Sequence, residues 1–305
     1  MYKTRILIIA QPAFVNGLKF ITKELSNMYI KVLPFDDRLW EGKNIIQKMI
    51  FIKKFDIIHF FRGRTTLVHF LSYRIFSRTK IINQFIGTDL YRILNKGCFK
   101  KSKLRLCSRI SLTIATGEIL HNELNALKIK NKTLDFINND IKKTNYNFPI
   151  EKRAIAYLPS YKKTFFNRKI LYQLALDFPD TEFTWFPYSR EKDEKIPPNV
   201  NCIDYIPRHK ILSRLEENKV FLRISKHDGL PNTLLEALSI GRWVVWSYPF
   251  KYVSTFHSYE VLKNKFNNLI NRKKPNVEGE KFVLENYNIK VISKEFEKIY
   301  KETLI

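Results

Sequence analysis

The chain has 305 residues, 45% of them hydrophobic, and carries 54 Lys and Arg against 29 Asp and Glu, a formal net charge of +25. That length and apolar share suffice for two domains with buried cores and exclude a disordered chain. Three cysteines (Cys98, Cys107, Cys202), without paired spacing or neighbouring histidine clusters, exclude a disulfide framework and a zinc motif, and they fit a reducing compartment.

In chain order, short β-rich runs alternate with amphipathic stretches of about 10 to 15 residues, the pattern of βα units feeding a parallel sheet. Residues 5–10 read as a buried strand too short for a signal-peptide core. Every later apolar run is broken by Lys or Arg before about 18 residues, so the expectation is a cytoplasmic protein with no membrane span. Further strands are expected over 31–34, 56–59, 80–85 and 112–116. Helices are expected near 18–28, 67–77, 99–109 and 118–127. These make one Rossmann-like, doubly wound domain. After the polar stretch 141–150 the pattern restarts, with strands over 154–158, 181–186, 201–204, 220–224 and 243–246. Helices near 168–177, 210–218 and from about 231 lie between them. We expect a Rossmann-like domain over 1–147, another over 148–305, and a last helix near 288–302 packing back towards the first.

Charge is distributed unevenly. Residues 1–150 carry 27 Lys and Arg against 10 Asp and Glu, about +17, which leaves about +8 for the remainder. Between His59 and Ile110 there are twelve basic residues and one acid, Asp89. Two readings stand: a surface for an anionic partner, or compositional drift in a Lys-rich chain. In 99–109, Lys100, Lys101, Lys103, Arg105 and Arg109 alternate with apolar residues, which suits an anionic membrane surface or a solvated helix face. A nucleic-acid partner would use the same charge. Against it, the chain has no zinc finger, stacking motif or basic coiled-coil region.

The segment from Ser225 to Gly241 reads as a strand end, a loop, a helix and a stop. Pro231 suits a first helical turn and Gly241 the residue just past the end. Such a helix opens at the carboxyl edge of the sheet, where doubly wound folds bind ligands, and its free N–H groups suit a diphosphate. Gly229, Leu230, Asn232 and Thr233 are the ligand-binding residues expected around that end. Glu236, about 7.5 Å along the axis at 1.5 Å per residue, is placed to reach a ribose diol. Asp228 precedes the helix, at the sugar end of the same ligand.

Asp228-x7-Glu236, followed by Ala237, Ser239, Gly241 and the Val244-Val245 strand, resembles the Glu-x7-Glu motif of the retaining glycosyltransferases of the two-domain GT-B fold called family 4, with Asp for the first Glu. Other segments match in order. Asp56-Ile57-Ile58-His59 is similar to the family's Asp-Val-Val-His strand, Ile86-Gly87-Thr88-Asp89-Leu90 to its His-Gly-Thr-Asp-Leu loop, and 112–118 to its Ala-Ile-Ile-Ala-Val-Ser-Glu segment. Residues 201–207, with Tyr205, Ile206 and Pro207, look like the loop that contacts the nucleotide base.

The resemblance implies two doubly wound domains facing a central cleft, a nucleoside diphosphate sugar as donor, retention at the anomeric carbon, and no metal or other cofactor. It implies acceptor contacts from His59, Gly87 and Asp89. A core histidine is an equal reading of His59, and a helix cap of Asp89. Ile86 leaves the family's sugar-contacting His position vacant unless His59 fills it. The first loop, where the family has a Gly pair, offers only Gly17. The family's phosphate-clamping Arg-x4-Lys has approximate counterparts in Lys162, Lys163, Arg168 and Lys169. Of these we assign Lys163 and Arg168, with Asp228 and Glu236, to the catalytic group.

The activity implied is transfer of a hexose-like unit to a hydroxyl, in an anionic, lipid-linked or cell-surface glycan precursor, by a protein peripheral on the inner membrane face. The alternatives are a GT-B epimerase or hydrolase of nucleotide sugars, and a basic nucleic-acid binder.

Overall fold

A computed structural model describes residues 3–35, 44–64, 71, 74–75, 77–191 and 194–305. They form two compact units. The first comprises 1–140, 228–230 and 289–305; the second comprises 141–227 and 231–288. The expected 147/148 boundary compares with this division at 140/141, and the last helix, Ile289–Leu304, is counted with the first unit.

The first unit is built on a six-stranded sheet in the order β2-β1-β3-β4-β5-β6. Its strands are β1 Thr4–Ala10, β2 Met28–Pro34, β3 Ile57–Phe61, β4 Lys80–Phe85, β5 Leu112–Ala115 and β6 Asn131–Thr133, and every pairing is parallel. Ile6, Leu7, Ile8 and Ile9 are all fully buried. A strand covered on both faces of a parallel sheet reads as such an unbroken apolar run. On one face Leu7, Ile9, Leu33, Ile58 and Phe60 form a core, and Phe85, Leu90, Leu104 and Leu120 form another. The helix expected near 67–77 lies largely outside the described residues.

The second unit has a five-stranded parallel sheet in the order β11-β10-β7-β8-β9. Its strands are β7 Arg153–Tyr157, β8 Glu182–Phe186, β9 Val200–Cys202, β10 Val220–Arg223 and β11 Trp243–Trp246. Leu171, Leu174, Phe183, Trp185, Leu222, Val245 and Phe266 pack together as its core. Sequence reasoning did not anticipate β6 or the helices Ile45–Ile52, Thr88–Leu94, Tyr259–Ile270 and Val277–Asn286. Strand β6 is three polar residues, Asn-Lys-Thr, and carries no apolar alternation to find.

Candidate active site

In the second sheet the chain order reverses between β7 and β10, which lie side by side. Ligands of open α/β sheets bind outside the carboxyl ends of the strands at such a point. There β7 runs into 158–163 and β10 into 224–231. The helix Asn232–Ser239 follows, entered through Pro231, whose backbone is extended (φ −76°, ψ 130°), one residue earlier than a first-turn proline. Gly241 follows it at φ +68°, where an added Cβ would lie 2.3 Å from the Tyr146 hydroxyl. Residues 233 to 239 are all buried, so the helix is a core element into which Glu236, its fifth residue, carries a carboxylate.

Among the described residues that carboxylate has one cationic partner. Arg208 Nη1 donates to Glu236 Oε2 at 3.1 Å, and Nη2 donates to Oε1, making a bidentate pair. Burial pushes the Glu236 carboxyl up to about 7 against the charge and hydrogen bonds of Arg208. An ionised carboxylate offers about four acceptor positions, so a bidentate Arg leaves about two for other donors. Arg208 opens a short turn, Arg208–Lys210. Sequence reasoning stopped one residue short of it: the available signal was a cation directly after Pro207. Of the neighbouring expected contacts, Tyr205 is 72% exposed and Ile206 is buried.

Past the end of β7, the cations expected to meet phosphate have internal partners. Lys163 Nζ donates to Glu191 Oε1 at 2.8 Å and to Glu194 Oε1 at 2.9 Å. Arg168 donates from Nε to the Tyr188 hydroxyl at 2.8 Å and lies 3.1 Å from Glu194 Oε1, to which Tyr188 also donates at 2.6 Å. Burial opposes the Glu194 charge, yet the bonds from Lys163 and Tyr188 outweigh it and hold the carboxyl down to about 2. The ammonium of Lys162 lies 5.5 and 5.7 Å from the ring centres of Tyr161 and Phe165. Lys169 borders a cavity of about 470 Å³ with Arg168, Tyr172 and Glu194. Tyr188, Glu191 and Glu194 carry no motif, and only the fold reveals them.

The loop Asp228–Leu230 is counted with the first unit. A Cβ on Gly229 would sit 2.4 Å from the Ile86 carbonyl oxygen, and one on Gly87, at φ +146°, would sit 3.1 Å from the Gly229 nitrogen. These glycines therefore permit backbone to lie against backbone. The turn after β4 is held by Asp89, which is buried and accepts from the amides of Gly63 (2.7 Å), Gly87 (2.9 Å) and Leu90 (2.9 Å) and more distantly from Ile86. Both carboxylate oxygens are thus engaged with backbone.

Two expected site residues lie elsewhere. His59 is 0% exposed: its Nε2 donates to Gln84 Oε1 at 2.9 Å and its Nδ1 accepts from the Tyr300 hydroxyl at 3.0 Å. The tautomer follows from Gln84, whose Nε2 donates to the Leu134 carbonyl and the Thr116 hydroxyl at 2.8 Å. Burial pulls His59 down to about 3 against the Gln84 bond, so the ring is neutral. It has no surface to offer an acceptor. Gly17 lies within the helix Pro12–Lys23 rather than in a loop, with an added Cβ 2.7 Å from the Phe136 ring. It is small because that ring packs against the helix.

The basic helix is Gly97–Ile110, and it buries only Leu104 and Cys107. Phe99 is 73% exposed, with the Lys103 ammonium 4.4 Å from its ring centre. Lys100 is held below the usual lysine range chiefly by the charge of Lys96. Arg105 donates to the Leu127 carbonyl at 3.2 Å, leaving Lys101, Lys103 and Arg109 as the helix's other expected surface cations. No described helix is long and apolar enough to cross a membrane.

No protein-family profile and no curated protein sequence matches the chain. Its fold does match solved structures. HepE of Anabaena, solved in complex with UDP, superposes with a TM-score of 0.71 at 12% identity, over 98% of this chain and 100% of that one. Sucrose-phosphate synthase from Thermosynechococcus elongatus gives a TM-score of 0.69 at 9% identity, over 98% and 99%. A protein assigned as a UDP-N-acetylglucosamine 2-epimerase from Listeria monocytogenes gives 0.56 at 11%, over 97% and 95%. At such identities the likeness is one of fold, and the chain has the GT-B fold of two parallel-sheet α/β units.

Proposed function

We propose that the chain is a glycosyltransferase that moves a hexose-like unit from a nucleoside diphosphate sugar to a hydroxyl acceptor, with retention, in the manner of family 4. The observation that carries this reading is Glu236: a carboxyl buried on the helix after β10, in a bidentate pair with Arg208 that offsets part of the cost of burying its charge, with acceptor positions left over. A vicinal diol such as a ribose supplies the two hydroxyl donors those positions need. The amide groups at the start of Asn232–Ser239 face developing charge on a departing diphosphate, and Lys163 and Arg168, held beyond β7 by Glu191, Glu194 and Tyr188, exchange those partners for its oxygens when the donor binds. Fold likeness to a protein solved with UDP-glucose supports a uridine nucleotide as the first donor to try.

In this mechanism the ionised Glu236 orients the donor. The helix terminus and the cations stabilise the leaving diphosphate. The departing phosphate oxygen takes the acceptor's proton on the same face, so no metal and no separate protein base is required. Asp228 acts at the sugar. The acceptor is an anionic, lipid-linked or glycan precursor, approached by way of the basic first unit at a membrane surface. Thermal-shift screening against nucleotide sugars tests the donor assignment, because a ligand that binds only the folded state raises Tm. Absence of any shift across the panel rejects it. The anomeric configuration of the product, read by NMR, tests retention, and undiminished turnover in EDTA is expected.

The likeness to the Listeria protein keeps a second reading open, in which the same donor site epimerises or hydrolyses the sugar nucleotide. Conversion of donor with no acceptor present favours that reading.

A further inference from the structure

The amino-terminal edge of the first unit's sheet carries a second concentration of charge. A cavity of about 310 Å³ opens there, bordered by Arg74, Lys80, Arg109 and Lys132 and by a single acid, Glu302. Lys80 and Leu112 are the first residues of β4 and β5, Lys132 is the middle residue of β6, and Arg109 comes from the last turn of the basic helix. Three separate elements, β4, β6 and the basic helix, together with Arg74, thus bring cations to one concavity. Gly87 and Gly117 follow the opposite ends of the same strands. Along β4, at about 3.3 Å per residue, the two edges are roughly 16 Å apart.

What distinguishes this cluster is its missing counter-charge. Lys163 and Arg168 share Glu191 and Glu194, and Arg208 has Glu236. Here Glu302 is paired with Lys132. Arg74, Lys80 and Arg109 have no carboxylate partner among the described residues. The carbonyl end of the helix Gly97–Ile110 contributes only about half a negative charge against three unanswered positive ones. Like charges gathered within a Debye length repel, and a small anion seated among them removes that repulsion while meeting guanidinium and ammonium donors. Ser111 and Thr303 add hydroxyl groups to the same wall.

We propose that this cavity is a binding site for a terminal phosphate dianion, either free inorganic phosphate or the phosphomonoester headgroup of a phosphorylated lipid. The inference does not rest on the donor reading. The test is equilibrium dialysis of the full chain against radiolabelled inorganic phosphate at constant ionic strength, with UDP in excess. One phosphate per chain is expected to bind. Affinity should fall at least about tenfold in Lys80→Ala/Arg109→Ala, rise in Glu302→Gln, which frees Lys132, and stay unchanged in Lys23→Ala. Urea midpoints confirm that each variant is folded. A double variant that binds phosphate as tightly as the parent, or a Glu302→Gln that binds it more weakly, overturns the proposal. Vesicles identify the source. Retention on phosphatidic acid over charge-matched phosphatidylglycerol, lost in the double variant, assigns a lipid headgroup. Equal retention of parent and double variant, with the dialysis difference intact, assigns free phosphate. Failure of UDP to bind would count against the donor reading and leave the comparison between parent and double variant standing.

Discussion

Two buried polar groups, one in each unit, are treated in opposite ways. His59, on β3, is neutral, fully enclosed, and has both ring nitrogens committed to Gln84 and Tyr300. Glu236, on the helix after β10, forms a charged pair with Arg208 and keeps acceptor capacity beyond it. A satisfied neutral network ties elements together: Tyr300 belongs to the helix Ile289–Leu304, so the His59 network fastens that helix to the first sheet. A buried carboxylate with spare lone pairs is poised for a ligand, because burying it stabilises the fold little once desolvation is counted. From sequence alone, His59 was as good an acceptor contact as a core residue. Burial and partners separate it from Glu236.

Substitutions test that contrast. The largest expected effect is at Glu236→Ala: donor affinity, by calorimetry, falls at least about a hundredfold through loss of two hydrogen bonds to a charged acceptor, and transfer is abolished. Parent activity in that variant would remove Glu236 from the site. His59→Ala is expected to lower unfolding stability by about 2–4 kcal/mol in urea, through the cavity and the orphaned Tyr300 and Gln84 groups, with donor affinity unchanged. If it instead raises KM for acceptor without loss of stability, the contrast fails.

Gly229→Ala forces a Cβ against the Ile86 carbonyl and is expected to cost about 1–3 kcal/mol. Turnover should fall with it if the loop positions Asp228.

The smallest effects are pH slopes of opposite sign. A histidine lowered from 6.5 to about 3 contributes stability that is present above pH 6.5 and is lost as pH falls towards 3. A carboxyl raised from 4.5 to about 7 contributes stability that is present below pH 4.5 and is lost as pH rises through 7. Unfolding free energy measured against pH should therefore lose its acid limb in His59→Gln and its neutral limb in Glu236→Gln. An unchanged profile in either variant contradicts the corresponding burial.

Much of the architecture was legible because it is local. Unbroken apolar runs such as 6–9 announce strands buried on both faces, and Pro231 and Gly241 bracket a helix of eight residues. The eight-residue spacing of Asp228 and Glu236 likewise needed no folding to be noticed. Illegible elements were those without a pattern, such as β6, and residues whose neighbours do not signal them. Gly17 read as a loop glycine, yet the Phe136 ring, far along the chain, is what demands its size.

Two series of parallel βα units, and the placing of Glu236 on a helix opening at a strand's carboxyl end, follow from local sequence alone, because backbone hydrogen bonding and apolar periodicity act over a few residues. Which charges meet was settled by packing: Arg208 for Glu236, Glu194 for Lys163 and Arg168, Tyr300 for His59, and no carboxylate among the described residues for Lys80 or Arg109. Hydrogen bonds and ion pairs reach only a few ångströms, so their partners are chosen by the packing that brings distant segments together.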